Sequence, residues 1–202
     1  SNPVLLPIRW EALMKAFTLV CAVLVLLPRV SAQAAKPPSA LRFEIGFPAS
    51  MSNAPLDGRL MLGISKNDKE EPRMQLVEEE AESQQFFAID VDGMAPAKPA
   101  VIDAASLGYP LRSLADLPPG DYFVQAILNR YQTYHRADGH TVKLPPDMGE
   151  GQQWNRKPGN LYSKPVKVHV DPKSSTPIRI LLTEKIGPLE PAKDTQYVKH
   201  VR

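Results

Sequence analysis

Leu117-Pro118-Pro119-Gly120-Asp121-Tyr122-Phe123-Val124-Gln125-Ala126-Ile127-Leu128 is the stretch that decides the fold class of this chain. Pro118, Pro119 and Gly120 are turn formers: proline presets a negative φ, and glycine reaches backbone angles closed to other residues. Directly behind them, Asp121 to Gln132 is the strongest strand signal in the chain, rich in apolar, aromatic and β-branched residues. The order Leu-x-Pro-Gly-x-Tyr over 117–122 has the form of the tyrosine corner of Greek-key sandwiches. In that corner a tyrosine hydroxyl bonds back to the backbone a few residues upstream. An ordinary turn before an ordinary strand would carry the same residues.

Working outward, Leu41–Phe47 alternates apolar and polar side chains, the period of a half-buried strand. Gly58–Ser65, Phe86–Val91, Pro99–Asp103, Lys164–Val170 and Pro177–Thr183 read as further strands. Asp92-Gly93 is expected to close the third as a turn, and Ser106–Asp116 to be irregular. The 21 prolines, about twice the usual share, suit turns and strand edges better than helices. Seven short strands without a clear helix predict an all-β, immunoglobulin- or fibronectin-like antiparallel sandwich over residues 40–187, carrying a long aromatic-polar loop. Gly120 and Tyr122 are its structural corner. Phe43, Ile45, Leu60, Leu62, Phe87, Ile89, Tyr122, Val124, Ala126, Val168, Ile178 and Ile180 are the expected core.

The front of the chain reads differently. Met14-Lys15 is a basic start, Ala16–Leu27 an apolar run, and Ser31–Ala34 a small-residue end, the three parts of a secretory signal peptide over 14–34. The apolar run is shorter than the roughly 20 residues that span a bilayer. Residues 1–13 are expected to precede the true start at Met14. Cys21, the sole cysteine, follows Val20 inside the apolar run, a poor setting for lipidation. An exported or periplasmic chain is expected, with no membrane attachment after cleavage. Removing residues 1–34 takes away Arg9, Lys15, Arg29 and Glu11, leaving 21 basic against 21 acidic groups in 168 residues. That balance gives no electrostatic case for nucleic acid or an anionic membrane. The charged run Lys66–Ser83 reads as a solvated loop or a short helix.

Chemistry-bearing residues gather between Tyr131 and Tyr162. Tyr134, His135, Asp138, His140, Trp154, Arg156 and Tyr162 are the candidate binding residues, on a connection longer than compact domains usually carry without a function. Three readings compete: a metal site from His135, Asp138, His140 and Asp147, a sugar-binding face of aromatic rings, and packing on the sandwich or a partner domain. The metal spacing matches no known pattern, so no metal or cofactor is expected. Asp90-Val91-Asp92-Gly93 opens like a calcium loop, but Met94–Pro99 supplies no further ligand. No Gly-x-Ser-x-Gly elbow, phosphate loop or dinucleotide fingerprint occurs.

Three segments together, Leu117–Ala126, Tyr134–Val142 and Gly149–Asn155, resemble the N-terminal region of bacterial secreted esterases, in which a β-sandwich precedes an α/β-hydrolase domain. The end, Lys193–Arg202, is similar to the lead-in to that second domain. The resemblance implies a non-catalytic accessory domain whose partner is a C-terminal α/β-hydrolase domain of the same polypeptide. The serine elbow of that domain is absent here, so no catalytic residue can be placed on this chain. Independently, residues 188–202 read as a Pro-rich linker and the first residues of a following domain. The alternative is a secreted carbohydrate-binding module, with polysaccharide on the 131–162 aromatics.

Overall fold

The computed structural model describes residues 40–75, 84–190, 194–197 and 199. The expected leader over 14–34 and the extension over 1–13 lie outside the described residues, as do residues 76–83 of the charged run. At the tail, Tyr197 and Lys199 are described and neither lies in a strand.

Twelve strands form among the described residues: β1 (Phe43–Gly46), β2 (Leu56–Ser65), β3 (Gln85–Met94), β4 (Ala100–Ile102), β5 (Leu107–Tyr109), β6 (Gly120–Arg130), β7 (Gln132–His135), β8 (Thr141–Leu144), β9 (Leu161–Tyr162), β10 (Val166–Val170), β11 (Ile178–Leu181) and β12 (Glu184–Lys185). Two 3-10 turns, Pro72–Met74 and Leu114–Asp116, are the helical elements of the described residues. A long sheet runs β12-β9-β6-β2-β3-β5, with β10 pairing the first half of β6. A three-stranded sheet, β11-β1-β4, forms the second layer. All pairings are antiparallel except β1 with β11, which run parallel. The chain is an all-β sandwich.

Period-two alternation builds the core. On the long sheet Leu62 lies opposite Phe87 on one side and Ala126 on the other, and Leu60 opposite Ile89 and Leu128. All of these face Phe43, Ile45, Ile102 and Ile180 of the small sheet in one apolar cluster. Of the expected core, Ile89, Val168 and Ile178 are half-buried against that cluster and the others are buried. At the corner the Tyr122 hydroxyl donates to the Pro118 carbonyl at 2.9 Å. Gly120 has φ 151°, a conformation L side chains rarely adopt.

The structure departs from the expectations in three places. Asp92-Gly93 does not end β3, which runs on to Met94. Gly93 has φ 67°, the pairing with β2 shifts register between Leu56 and Gly58, and Asp57 accepts the Gly93 N–H at 2.7 Å. Ser106–Asp116, read as irregular, holds β5 and the second 3-10 turn. The long connection over 131–162 is not a single loop: β7 and β8 form a hairpin within it, and β9 closes it. Gln132–His135 is polar on both faces, so it lacks the alternation that marks a half-buried strand.

Candidate functional site

The candidate residues fall into two groups. Tyr134, His135, Asp138 and His140 sit on the exposed β7–β8 hairpin and bond largely within it. His135 Nδ1 lies 3.0 Å from Thr141 Oγ1, and the Tyr134 hydroxyl donates to Gln132 Oε1 at 3.3 Å. Asp138 pairs with Arg136 at 2.7 Å and His140 at 3.2 Å. At the open end, Lys143 ties the hairpin to the long sheet, lying 2.7 Å from Asp57 and 2.6 Å from Asp92. The Lys143 ammonium and the Gly93 N–H hold the Asp57 carboxyl below its usual range. Beside them Arg59 grips Asp90 through two bonds of 3.0 Å, and Tyr131 donates to the same carboxylate at 3.2 Å. The Arg59 bonds draw Asp90 below its usual range too.

Trp154 and Tyr162 belong to a second region. On β6, Tyr122, Val124, Ala126 and Leu128 point into the sandwich, so Gln125, Ile127 and Asn129 point to the outer face. That face is covered. The 3-10 turn Pro72–Met74 bonds onto it: Gln125 Oε1 accepts the Arg73 N–H at 3.0 Å, and Gln125 Nε2 donates to Glu71 at 2.9 Å. Arg73 pairs with Glu71 at 2.7 Å, donates to the Asn155 carbonyl at 2.5 Å, and lies 4.3 Å over the Tyr162 ring. Trp154 meets Phe86 of β3 edge-on, with ring centroids 5.5 Å apart. Asn160, 0 % exposed, donates to the Trp154 carbonyl and Asn129 Oδ1 and accepts the Arg130 N–H at 2.9 Å. Among the described residues no hydrogen bond, ion pair or ring contact joins the hairpin-tip candidates to Trp154 or Tyr162. Arg156 is exposed, and no acceptor among the described residues takes its guanidinium.

Three features had no clear signal in the sequence. Lys157 and Glu150 are buried beneath this cover, although lysine and glutamate in a polar run read as surface residues. Leu107 and Tyr109 on β5 are each 70 % exposed at the rim of the long sheet. A side chain at Gly108 between them would fall 2.5 Å from the Phe87 ring, so glycine lets β5 press onto the core while its neighbours point to solvent. Tyr109 lies opposite Phe86, which in turn meets Trp154, so an aromatic row crosses this end of the outer face. On the small sheet an open cleft of about 310 Å³ is lined by Gly46, Pro99 and Leu181, with Arg179 bonded to Glu44 at 3.0 Å on its rim.

Chemically, the hairpin and sheet-edge charges are taken up in exposed contacts with one another. His169 and Asp121, with ring nitrogen and carboxylate 2.7 Å apart across β10 and β6, form another exposed contact. Among the described residues no group of three or more His, Cys, Asp or Glu side chains gathers as a metal site, and no helix is long and apolar enough to cross a membrane. The arrangement suits contact with another surface, through the β5 rim and the aromatic row. No family model, curated protein or solved structure matches this chain.

Proposed function

We propose that residues 40–187 are a non-catalytic accessory domain of an exported esterase-like hydrolase, packing against and positioning the catalytic domain of the same polypeptide. The observation that carries this reading is the β5 rim. Leu107 and Tyr109 are 70 % exposed on the same face of one short strand, continuous with Phe86 and Trp154. Single exposed apolar side chains are ordinary, but a contiguous group marks a contact surface. Contacts between domains mix apolar and polar groups, which the rim and the exposed Arg156 would supply. The resemblance of Leu117–Ala126, Tyr134–Val142 and Gly149–Asn155 names the neighbour as an α/β-hydrolase domain, which would bring the nucleophilic serine. The leader at Met14–Ala34 supports export. Mass spectrometry of the exported chain would then find an N-terminus at Ala35, and an exported chain still carrying Met14 would overturn the leader.

The aromatic row also favours a second reading, a polysaccharide-binding module. Tyr162 lies under Arg73 and Trp154 is held edge-on by Phe86, so within the row Tyr109 is the ring left open for stacking on a sugar. One pair of assays separates the readings. The accessory-domain reading expects this chain alone to leave a chromogenic acyl ester unhydrolysed and to stay in solution over insoluble polysaccharide. Hydrolysis above background would refute a non-catalytic role. Retention on polysaccharide that Tyr109→Ala abolishes, with circular dichroism unchanged, would replace it with the sugar-binding one.

A further inference from the structure

Lys157 is 3 % exposed, and lysine is almost never buried so deeply without a partner. Its Nζ donates to the Arg130 carbonyl at 2.7 Å, one bond for a group with three N–H donors. Glu150 lies on the same segment and is 8 % exposed. Its Oε2 accepts the Met148 N–H at 2.7 Å, while Oε1 is buried with no hydrogen-bond partner among the described residues. A buried ammonium and a buried carboxylate thus attract each other, and each keeps bonding capacity unused. Burial pushes the Lys157 ammonium down to about 8. Glu150 opposes that shift, and the Arg130 guanidinium on β6 adds to it. The 3-10 turn against the segment presents Glu71 and Arg73, which neutralise each other at 2.7 Å.

We propose that residues 147–160 form a pH-dependent clasp over the outer face of the long sheet, tightening as Lys157 gives up its proton. The segment's other ties include bonds that do not titrate in this range: Asn160 to Arg130 and Asn129, Arg73 to the Asn155 carbonyl, and the backbone bonds between Gly159, Asn160 and Ile186. Lys157 therefore sets the pH response. In the open form its side chain is solvated and titrates near its ordinary 10.5, and in the closed form near 8. Below about 8 both forms hold the proton and pH changes nothing. Between those values the closed form binds fewer protons, so each unit rise favours closing by about tenfold. Opening releases Trp154 from Phe86 and frees Asn129 from Asn160.

Trp154 reports the clasp, with Trp10, the second tryptophan, replaced by phenylalanine. Acrylamide quenching of Trp154 is followed from about pH 6.5 to about 9.5. The proposal expects accessibility to hold steady below about pH 8 and to fall as pH rises beyond it. Lys157→Met, a neutral chain of similar reach, should flatten that profile with Trp154 protected throughout. Glu150→Gln removes the attraction that favours the buried ammonium, so it should leave Trp154 more accessible near neutral pH and move the onset of the fall to lower pH. It serves as the second variant if Lys157→Met fails to fold by circular dichroism. Accessibility that is independent of pH or rises with it, or a variant that keeps the original profile, would overturn the proposal.

Discussion

The hairpin of β7 and β8 and the segment from Glu150 to Tyr162 follow one another in the chain and share a composition of aromatic, charged and amide side chains. The fold uses them in opposite ways. His135, Asp138 and His140 bond to neighbours on their own hairpin and remain exposed. Asn155, Lys157 and Asn160 are buried: Lys157 and Asn160 bond to the backbone of Arg130 on β6, and the Asn155 carbonyl accepts from the Arg73 side chain of the 3-10 turn. Composition marks such stretches as interesting, but what separates them is where their polar groups find partners. An exposed pair competes with water and contributes little. A buried amide that completes another strand's bonding leaves several orphans when removed.

That contrast predicts an ordered series of effects. Asn160→Ala strips partners from the Arg130 N–H, the Trp154 carbonyl and Asn129 together, and should lower unfolding stability in urea by about 3 kcal/mol. A loss as small as that of a hairpin-tip variant would erase the distinction. Trp154→Ala removes a half-buried ring from Phe86 and should cost about 2 kcal/mol, below the full-burial range for tryptophan.

The two regions should also part with pH. Asp57 has its carboxyl held down by Lys143, so its contribution is present above its ordinary range near 3.8 and lost as pH falls through the lower folded value. Acid should therefore loosen the hairpin anchor while leaving the Asn160 bonds in place, as amide exchange at Tyr134 and Arg130 would reveal. Equal loosening at both would contradict the separation. The smallest effect belongs to the hairpin tip: Asp138→Ala breaks exposed contacts to the Arg136 guanidinium, the His140 ring and the His140 N–H, and should stay within about 0.5 kcal/mol.

The core was legible because period-two alternation is a direct consequence of strand geometry. Phe43 and Ile45, Leu60 and Leu62, and Tyr122, Val124 and Ala126 fall on one face from spacing alone. The corner was legible because few residue types make that turn. The hairpin strands were not, since Gln132–His135 buries neither face and leaves no hydrophobic period. Nor were Lys157 and Glu150, whose burial arises from a chain segment folding back onto β6, a tertiary event that no local pattern encodes. Leu107 and Tyr109 were hidden by brevity: three residues around a glycine carry too little period to read as a strand, and their exposure depends on Gly108 seating against Phe87.

The central claim, a non-catalytic domain serving a hydrolase on the same polypeptide, is tested most directly on the exported protein of the native host. Antibodies against residues 40–187 would be combined with fluorophosphonate labelling of serine hydrolases. The account predicts one exported polypeptide, well above the 22.3 kDa of this chain, that carries both signals. An exported species of 22.3 kDa or less that the probe leaves unlabelled would contradict it.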